Sequence, residues 1–309
     1  MNSVATAVPG VEKRRGPIAK YWTSYLFILP NVIGVLVFLA YPIFFSLYMS
    51  LTNWDFINPA KFVFLKNYIR LFTQDDYFWI SMKVTATYVL MFVPGVLVAS
   101  LVLALAMNQK LRGIRFVRTA IFAPVVTSMV AVAIVWVWLL SKDFGLINMA
   151  LGVFGIQPVG WLTNENTALP SIVVVGVWKA MGYDAILLLA ALQGVPRILY
   201  EAAEIDGANA WGKFWNVTLP MIAPTVVFVT VTSMIGAFQV FDQAFIMTAG
   251  GPGTATYVYN FYFYRQAFGQ LKMGYASAMA YVLFVVMFIA TLIQLRFTRE
   301  SAASAFDLS

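Results

Sequence analysis

The sequence predicts an all-α membrane protein with six transmembrane helices. Of its 309 residues 61% are hydrophobic and only 11% charged, and the mean hydropathy is +0.80, far from the balance of a water-soluble domain. The apolar residues also come in continuous runs, not in the short alternating segments of a transmembrane β-barrel. Six runs reach the roughly 20 residues that a helix needs to cross a hydrocarbon layer: Tyr25 to Tyr48, Ile80 to Met107, Ala120 to Leu140, Ser171 to Leu192, Met221 to Met247 and Gly274 to Leu295. Runs longer than the minimum imply tilt, not extra spans.

The first run follows Lys13, Arg14, Arg15 and Lys20. It is too long for a secretory signal and lacks a small-residue cleavage site, so it is expected to stay as a first span, kinked at Pro30 and Pro42. The short connection after the second run holds Lys110, Arg112, Arg115 and Arg118, and Arg296 and Arg299 follow the sixth. Cytoplasmic loops carry such excess, so both termini and the segment Arg197 to Leu219 are expected in the cytoplasm. On the opposite side, Asn53 to Trp79 mixes aromatic residues with charges, which suggests short helices lying at the interface. One membrane domain is expected over 25–297, its core at 80–296, between an amino-terminal tail at 1–24 and a carboxy-terminal tail at 298–309.

Several functions are excluded by composition. The chain has no cysteine and no histidine, which removes disulfides, thiol nucleophiles, Cys/His zinc sites and Ser-His-Asp triads. A net charge of +7 comes from residues spread over membrane-flanking loops without a recognition motif, so no nucleic-acid partner is expected.

The loop at 193–220 is polar between two apolar runs. Pro196 can start a helix, with Glu201 and Glu204 expected near the positive end of its dipole and the helix ending about Asp206. Gly207 suits a left-handed C-terminal cap, and Asn209 can cap a second helix carrying Trp211, Phe214, Trp215 and Thr218. Leu219-Pro220 is expected to stop that helix, leaving an L-shaped pair. Gly207 to Lys213 reads G-x-x-x-x-G-K, yet Phe214 stands where a phosphate-binding loop needs Ser or Thr, and no strand precedes it, so no nucleotide site is expected.

In this loop the chain resembles the permease subunits of binding-protein-dependent ABC importers, whose signature is EAA, three residues, G, nine residues, I, one residue, LP. Glu201, Ala202, Ala203, Gly207, Leu219 and Pro220 match at that spacing, with Val217 in place of isoleucine. Further segments resemble the carbohydrate branch with the maltose and glycerol-3-phosphate permeases: Tyr41 to Tyr48, Asn53-Trp54-Asp55, Asn67 to Phe72, Phe241-Asp242, Gly250-Gly251-Pro252 and Gly274 to Ala278.

The resemblance implies a type I ABC importer permease fold with cytoplasmic coupling helices, in a bacterial or archaeal cell membrane. It also implies a second permease subunit, two ATP-binding cassette subunits that use ATP and Mg²⁺, and an extracytoplasmic solute-binding protein facing Ala249 to Thr254. The 193–220 loop would dock on a cassette subunit, and this chain would bind no cofactor or metal and catalyse nothing.

Charges inside spans normally face a cavity or a partner. Lys179 and Asp184 stand five residues apart, about 140° around a helix, so each is expected to have a different neighbour. Thr232, Gly236, Gln239 and Gln243, with Asp242 beside them, would give the fifth run one polar face. Trp178 and Gly182 lie one turn apart, and a tryptophan near polar groups can stack on a sugar ring, which favours a neutral polyol over an anion. By resemblance to the maltose permease, Trp178, Gly182, Tyr183, Asp184, Gln239, Phe241, Asp242 and Gln243 are expected along the substrate pathway. Thr127 and Ser128 are weaker candidates, since hydroxyls satisfy their own helix. Gly274 and Ala278 are expected to form a small face for helix packing, with the second permease subunit as one candidate neighbour. Related permeases carry saccharides, polyols or glycerol-3-phosphate. A self-contained secondary transporter is the competing class, against which stands the lack of evident inverted repeats.

Overall fold

A computed structural model describes residues 17–109 and 113–306; Lys13, Arg14, Arg15, Lys110 and Arg112 of the orientation argument lie outside the described residues. The chain opens with α1 (Pro17–Val35), a π-helical turn at Leu36–Ala40 and α2 (Tyr41–Ser50). These form one apolar helix over Ser24–Ser50. The helix runs through Pro30 and Pro42: the wider turn lets the Tyr41 amide bond Leu36 O, and the missing amide of Pro42 costs little directly after it.

Outside, the expected interfacial helices are only partly present. Thr52–Asn53 (β1) pairs antiparallel with Lys61–Phe62 (β2), and one short helix follows, α3 (Lys66–Thr73). The Asp55 carboxylate turns the hairpin by accepting from the amides of Ile57 and Asn58 at 3.1 and 2.8 Å, a local bond that competes with helix. The Asn67 amide then ties α3 back to Ser50 O and Thr52 O at 2.8 and 2.9 Å.

The second run is α4 (Asp76–Met107), capped by Asp75 accepting from the Phe78 amide. Asp75 also accepts from the hydroxyls of Tyr262 and Tyr275, so one carboxylate joins three parts of the outer rim. The third run is not one straight span. It is α5 (Ile114–Val126) and α6 (Met129–Leu139), bent by 102° where Thr127 and Ser128 are extended. The loop beyond contains α7 (Leu146–Val153) and is held by Asn148, whose side chain bonds Val159 and Trp161.

The fourth run is α8 (Glu165–Gln193), which makes the most extensive packing in the chain, against α4. α9 (Arg197–Ile205) and α10 (Ala210–Lys213) follow, then a π turn at Phe214–Thr218 and α11 (Leu219–Phe238). The fifth run ends as a helix at Phe238; Gln239 to Phe241 break it before a π turn at Ala244–Thr248. α12 (Tyr259–Tyr264) lies outside, and α13 (Met273–Phe306) is the sixth run, continuing past Leu295. Among the described residues, five helices are long and apolar enough to cross a membrane, and six if the bent pair counts as one span.

Two apolar clusters hold the bundle. The larger lies around Phe92, Ile172, Tyr259 and Met279, and the smaller around Met107, Leu188, Ile222 and Val229. Arg118 of α5 donates to Met107 O at 3.0 Å, a cation on the carbonyl end of α4. The first span leans on α13 through α2. Gly274 packs within the chain beside that contact: its amide donates to Trp54 O at 3.0 Å, and a Cβ there would meet Thr52 O at 2.0 Å. Gly274→Val should therefore push the first span off α13 and destabilise the chain by about 1–3 kcal/mol, read as a lowered unfolding midpoint in detergent; an unchanged midpoint would refute this contact.

Candidate functional site

Two places gather most of the residues singled out by sequence: a bent loop between the fourth and fifth runs and a cavity at mid-span. The loop starts at Pro196, which is the N-cap residue of α9, not its first turn. Glu201 therefore sits mid-helix and Glu204 in the last turn, away from the positive end of the dipole where the sequence reading put them. Glu201 instead pairs with Arg197 one turn earlier at 3.0 Å, both side chains exposed. Ile198, Ala202 and Ile205 form a bare apolar stripe on α9 at i, i+4 and i+7.

Gly207 has φ +79°, a conformation that carries no Cβ penalty only in glycine. Its amide donates to Glu204 O at 3.0 Å, and the Ala208 amide donates to Ala203 O at 2.8 Å, the paired bonds of a Schellman cap. Asn209 then accepts from the Gly212 amide at 2.8 Å and starts α10.

Leu219-Pro220 does not stop the second arm, contrary to expectation. The π turn at Phe214–Thr218 widens the helix just before Pro220, and Ala210–Phe238 continues as one helix into the membrane. π turns leave room where proline removes a donor. The two arms are clamped: Lys213 donates to Glu204, and the hydroxyls of Tyr200 and Thr218 lie 3.0 Å apart.

The cavity has a volume of about 530 Å³. Of the pathway candidates, Tyr183, Asp184, Gln239, Phe241, Asp242 and Gln243 line it, as do Thr232 and Gly236. The expected polar helical face does not exist as such, because the helix ends at Phe238; the break at Gln239 to Phe241 turns those polar groups to the same space. Trp178 and Gly182 do not line the cavity. Trp178 packs edge-on against Trp136 at 5.5 Å, and a Cβ on Gly182 would meet Ile121 O at 2.2 Å, so that glycine serves the crossing of α8 with α5.

Asp184 is 5% exposed and accepts from the Ser233 hydroxyl at 3.2 Å. Lys179 also lines the cavity and donates to backbone carbonyls of the third run, so the two charges have different neighbours, as their spacing predicts. The Thr127 hydroxyl donates to Pro124 O at 2.6 Å and stays with its own backbone.

Tyr88, Phe92, Gly176, Ala180 and Ser233 also line the wall and were missed by the sequence reading. Gly176, Ala180 and Tyr183 fall at i, i+4 and i+7 on α8, which is a readable stripe, while Tyr88 and Phe92 carry no such mark in an apolar run. A Cβ on Gly176 would stand 2.6 Å from Tyr88 Oη and 3.1 Å from the Gln243 amide nitrogen, so glycine there is what lets these two polar groups meet the wall.

An elbow between spans four and five and a cavity between broken helices are the geometry of a transport subunit. Residues 95–301 match the family described as "Binding-protein-dependent transport system inner membrane component", and the chain belongs to that family. It is therefore a multi-pass membrane protein. It is 38% identical over 274 residues to the probable ABC transporter permease protein YesP of Bacillus subtilis (strain 168), covering 87% of this chain and 88% of that one. With the lactose transport system permease protein LacF of Rhizobium radiobacter it shares 35% over 295 residues, 93% of this chain and 98% of the other. A solved chain of a bacterial alginate ABC transporter in complex with alginate pentasaccharide-bound periplasmic protein superposes with a TM-score of 0.80 at 26% identity, covering 92% of this chain and 96% of that chain. The ABC importer permease fold is thus the fold of this chain.

Lys213 beside Glu204 holds that carboxyl below its ordinary value of 4.5. Because the folded value is the depressed one, the clamp contributes above the ordinary glutamate range and is lost as pH falls through the depressed value. Both termini of the clamp reach solvent, so its contribution is small. Lys213→Met should return the Glu204 titration upward toward 4.5 in carbon-13 NMR of the glutamate-labelled protein; an unmoved titration would show that the contact is not made in solution.

Proposed function

We propose that this chain forms half of the translocation pathway of an ATP-driven, binding-protein-dependent importer for a carbohydrate. In this reading it assembles with a second permease subunit, two ATP-binding cassette subunits and an extracytoplasmic solute-binding protein. It lies in a bacterial or archaeal cell membrane with both termini in the cytoplasm. The cassette subunits bind ATP and Mg²⁺, and this chain itself holds no cofactor.

The observation that carries the coupling role is the elbow at Gly207. An exposed apolar stripe, Ile198, Ala202 and Ile205, lies on an arm clamped to the foot of the fifth span. Glu201, Ala202, Ala203, Gly207, Leu219 and Pro220 then divide the work. Ala202 and Ala203 admit a close neighbour, Glu201 offers a carboxylate to a basic partner, Gly207 sets the corner, and Leu219-Pro220 joins the arm to the span. Closure of the cassettes on ATP would move this elbow and, through α11, the wall of the cavity. That single motion would open the path to one side or the other.

The carbohydrate reading is supported by relatives that carry lactose and alginate by name. Alginate is described as acidic, but the charges here favour a neutral solute: Asp184 and Asp242 face the cavity, and Lys179 spends its protons on backbone. Hydroxyls of a sugar can donate to those carboxylates and exchange bonds with Gln239 and Gln243, while Phe241 and Tyr183 offer ring faces.

Two experiments test these roles in the reconstituted importer. Gly207→Pro cannot adopt a φ of +79° or donate to Glu204 O, so ATP hydrolysis should continue while uptake falls to background; unimpaired uptake rejects the coupling role. Asp242→Ala should lower uptake by about tenfold or more, the worth of a hydrogen bond to a charged group, with assembly unaffected. Normal uptake in that variant removes Asp242 from the pathway.

A further inference from the structure

The break in the third run leaves backbone groups exposed where hydrocarbon would not satisfy them. Thr127 and Ser128 are extended, with ψ of 150° and 137°, so the last carbonyls of α5 have lost the amides four residues on. Lys179 reaches them from α8. Its Nζ donates to Pro124 O at 3.2 Å, to Val125 O at 3.4 Å and to Thr127 O at 3.0 Å. An ammonium has three protons, and three carbonyls receive them. Among the described residues neither ion pair involves this lysine, so its charge is balanced by the carbonyl end of α5. Gly182, three residues along α8, brings the two helices together: a Cβ there would overlap Ile121 O at 2.2 Å.

We propose that Lys179 is a positioning residue for transport, a latch whose ammonium holds the third span bent and so sets the cavity wall made by Val125 and Met129. The bend and the position of the cation are coupled. In a straight third helix the amides of Met129 and Ala131 would take Val125 O and Thr127 O, and the ammonium would lose these backbone acceptors. Released from the carbonyls, it would turn to the carboxylates of Asp184 and Asp242, which line the same cavity. The chain therefore has two self-consistent arrangements, bent with the lysine on backbone and straight with the lysine in the cavity, and moving between them reshapes the wall.

Only the uptake arm of the test rests on reading the cavity as the pathway. The chain has no cysteine, so Phe116→Cys and Val135→Cys, both at exposed positions on either side of the break, take spin labels that report the bend as a distance in the assembled importer. Lys179→Met should move the distance distribution to longer values and lower uptake by about tenfold or more, while Lys179→Arg, which keeps the donors, should preserve both. A wild-type distribution in Lys179→Met overturns the latch. A longer distance with normal uptake supports the latch and instead refutes the cavity as the path. Should Lys179→Met fail to assemble, Lys179→Gln, too short to reach all three carbonyls, must show the same lengthening, and a wild-type distribution in that variant overturns the proposal.

Discussion

A hydrocarbon layer offers nothing to a peptide group, so a chain within it must pair its own amides and carbonyls or turn them to a shielded space. That constraint explains why the irregular parts of this structure lie where they do. The third run stops being helical at Thr127 and Ser128, the fifth at Gln239 to Phe241, and both breaks border one cavity. Lys179 satisfies the first break from outside its own helix. The prolines follow the same rule: where Pro42 and Pro220 remove a donor, a π turn precedes each and the helix goes on. Regular helix and broken helix are two answers to one demand.

The outer rim answers it differently. Asp75 accepts from a backbone amide of its own helix and from two tyrosine hydroxyls, and Tyr259 donates to Met279 O at 2.8 Å while its amide finds the Thr85 hydroxyl at 2.8 Å. Burial raises the Tyr262 hydroxyl well above the usual tyrosine range, with the Asp75 carboxylate beside it adding to the effect, which keeps it a donor at any ordinary pH. A network of protonated phenols around one carboxylate fixes the beginnings of α4 and α13 against α12. The three elements are thus tied together at one rim.

Much of this was legible from residue order. Continuous apolar runs located the helices, and the elbow was readable almost bond by bond, because Gly207 and Asn209 act through their own neighbours within a few residues. The errors share a cause. The bend at Thr127, the break after Phe238 and the passage of the helix through Pro220 are decided by partners far away in sequence or by a π turn that composition does not announce. Trp178 was misplaced for the same reason: spacing put it one turn from Gly182, but Trp136 on another helix decides where its ring goes. Tyr183, Asp184 and the Gln239 to Gln243 segment were found because polar groups are rare in such runs, whereas Tyr88 and Phe92 were hidden among similar neighbours.

The continuity of Ala210–Phe238 has a mechanical meaning. A helix of 29 residues spans about 43 Å at 1.5 Å per residue, enough to reach from the elbow to the floor of the cavity without a joint. Such a piece transmits twist as faithfully as thrust: turning Trp211 at one end swings Thr232 and Gly236 at the other through a comparable arc. On the proposed reading the element would work like the shaft of a key, with its bit among the cavity-lining side chains and its bow at the elbow.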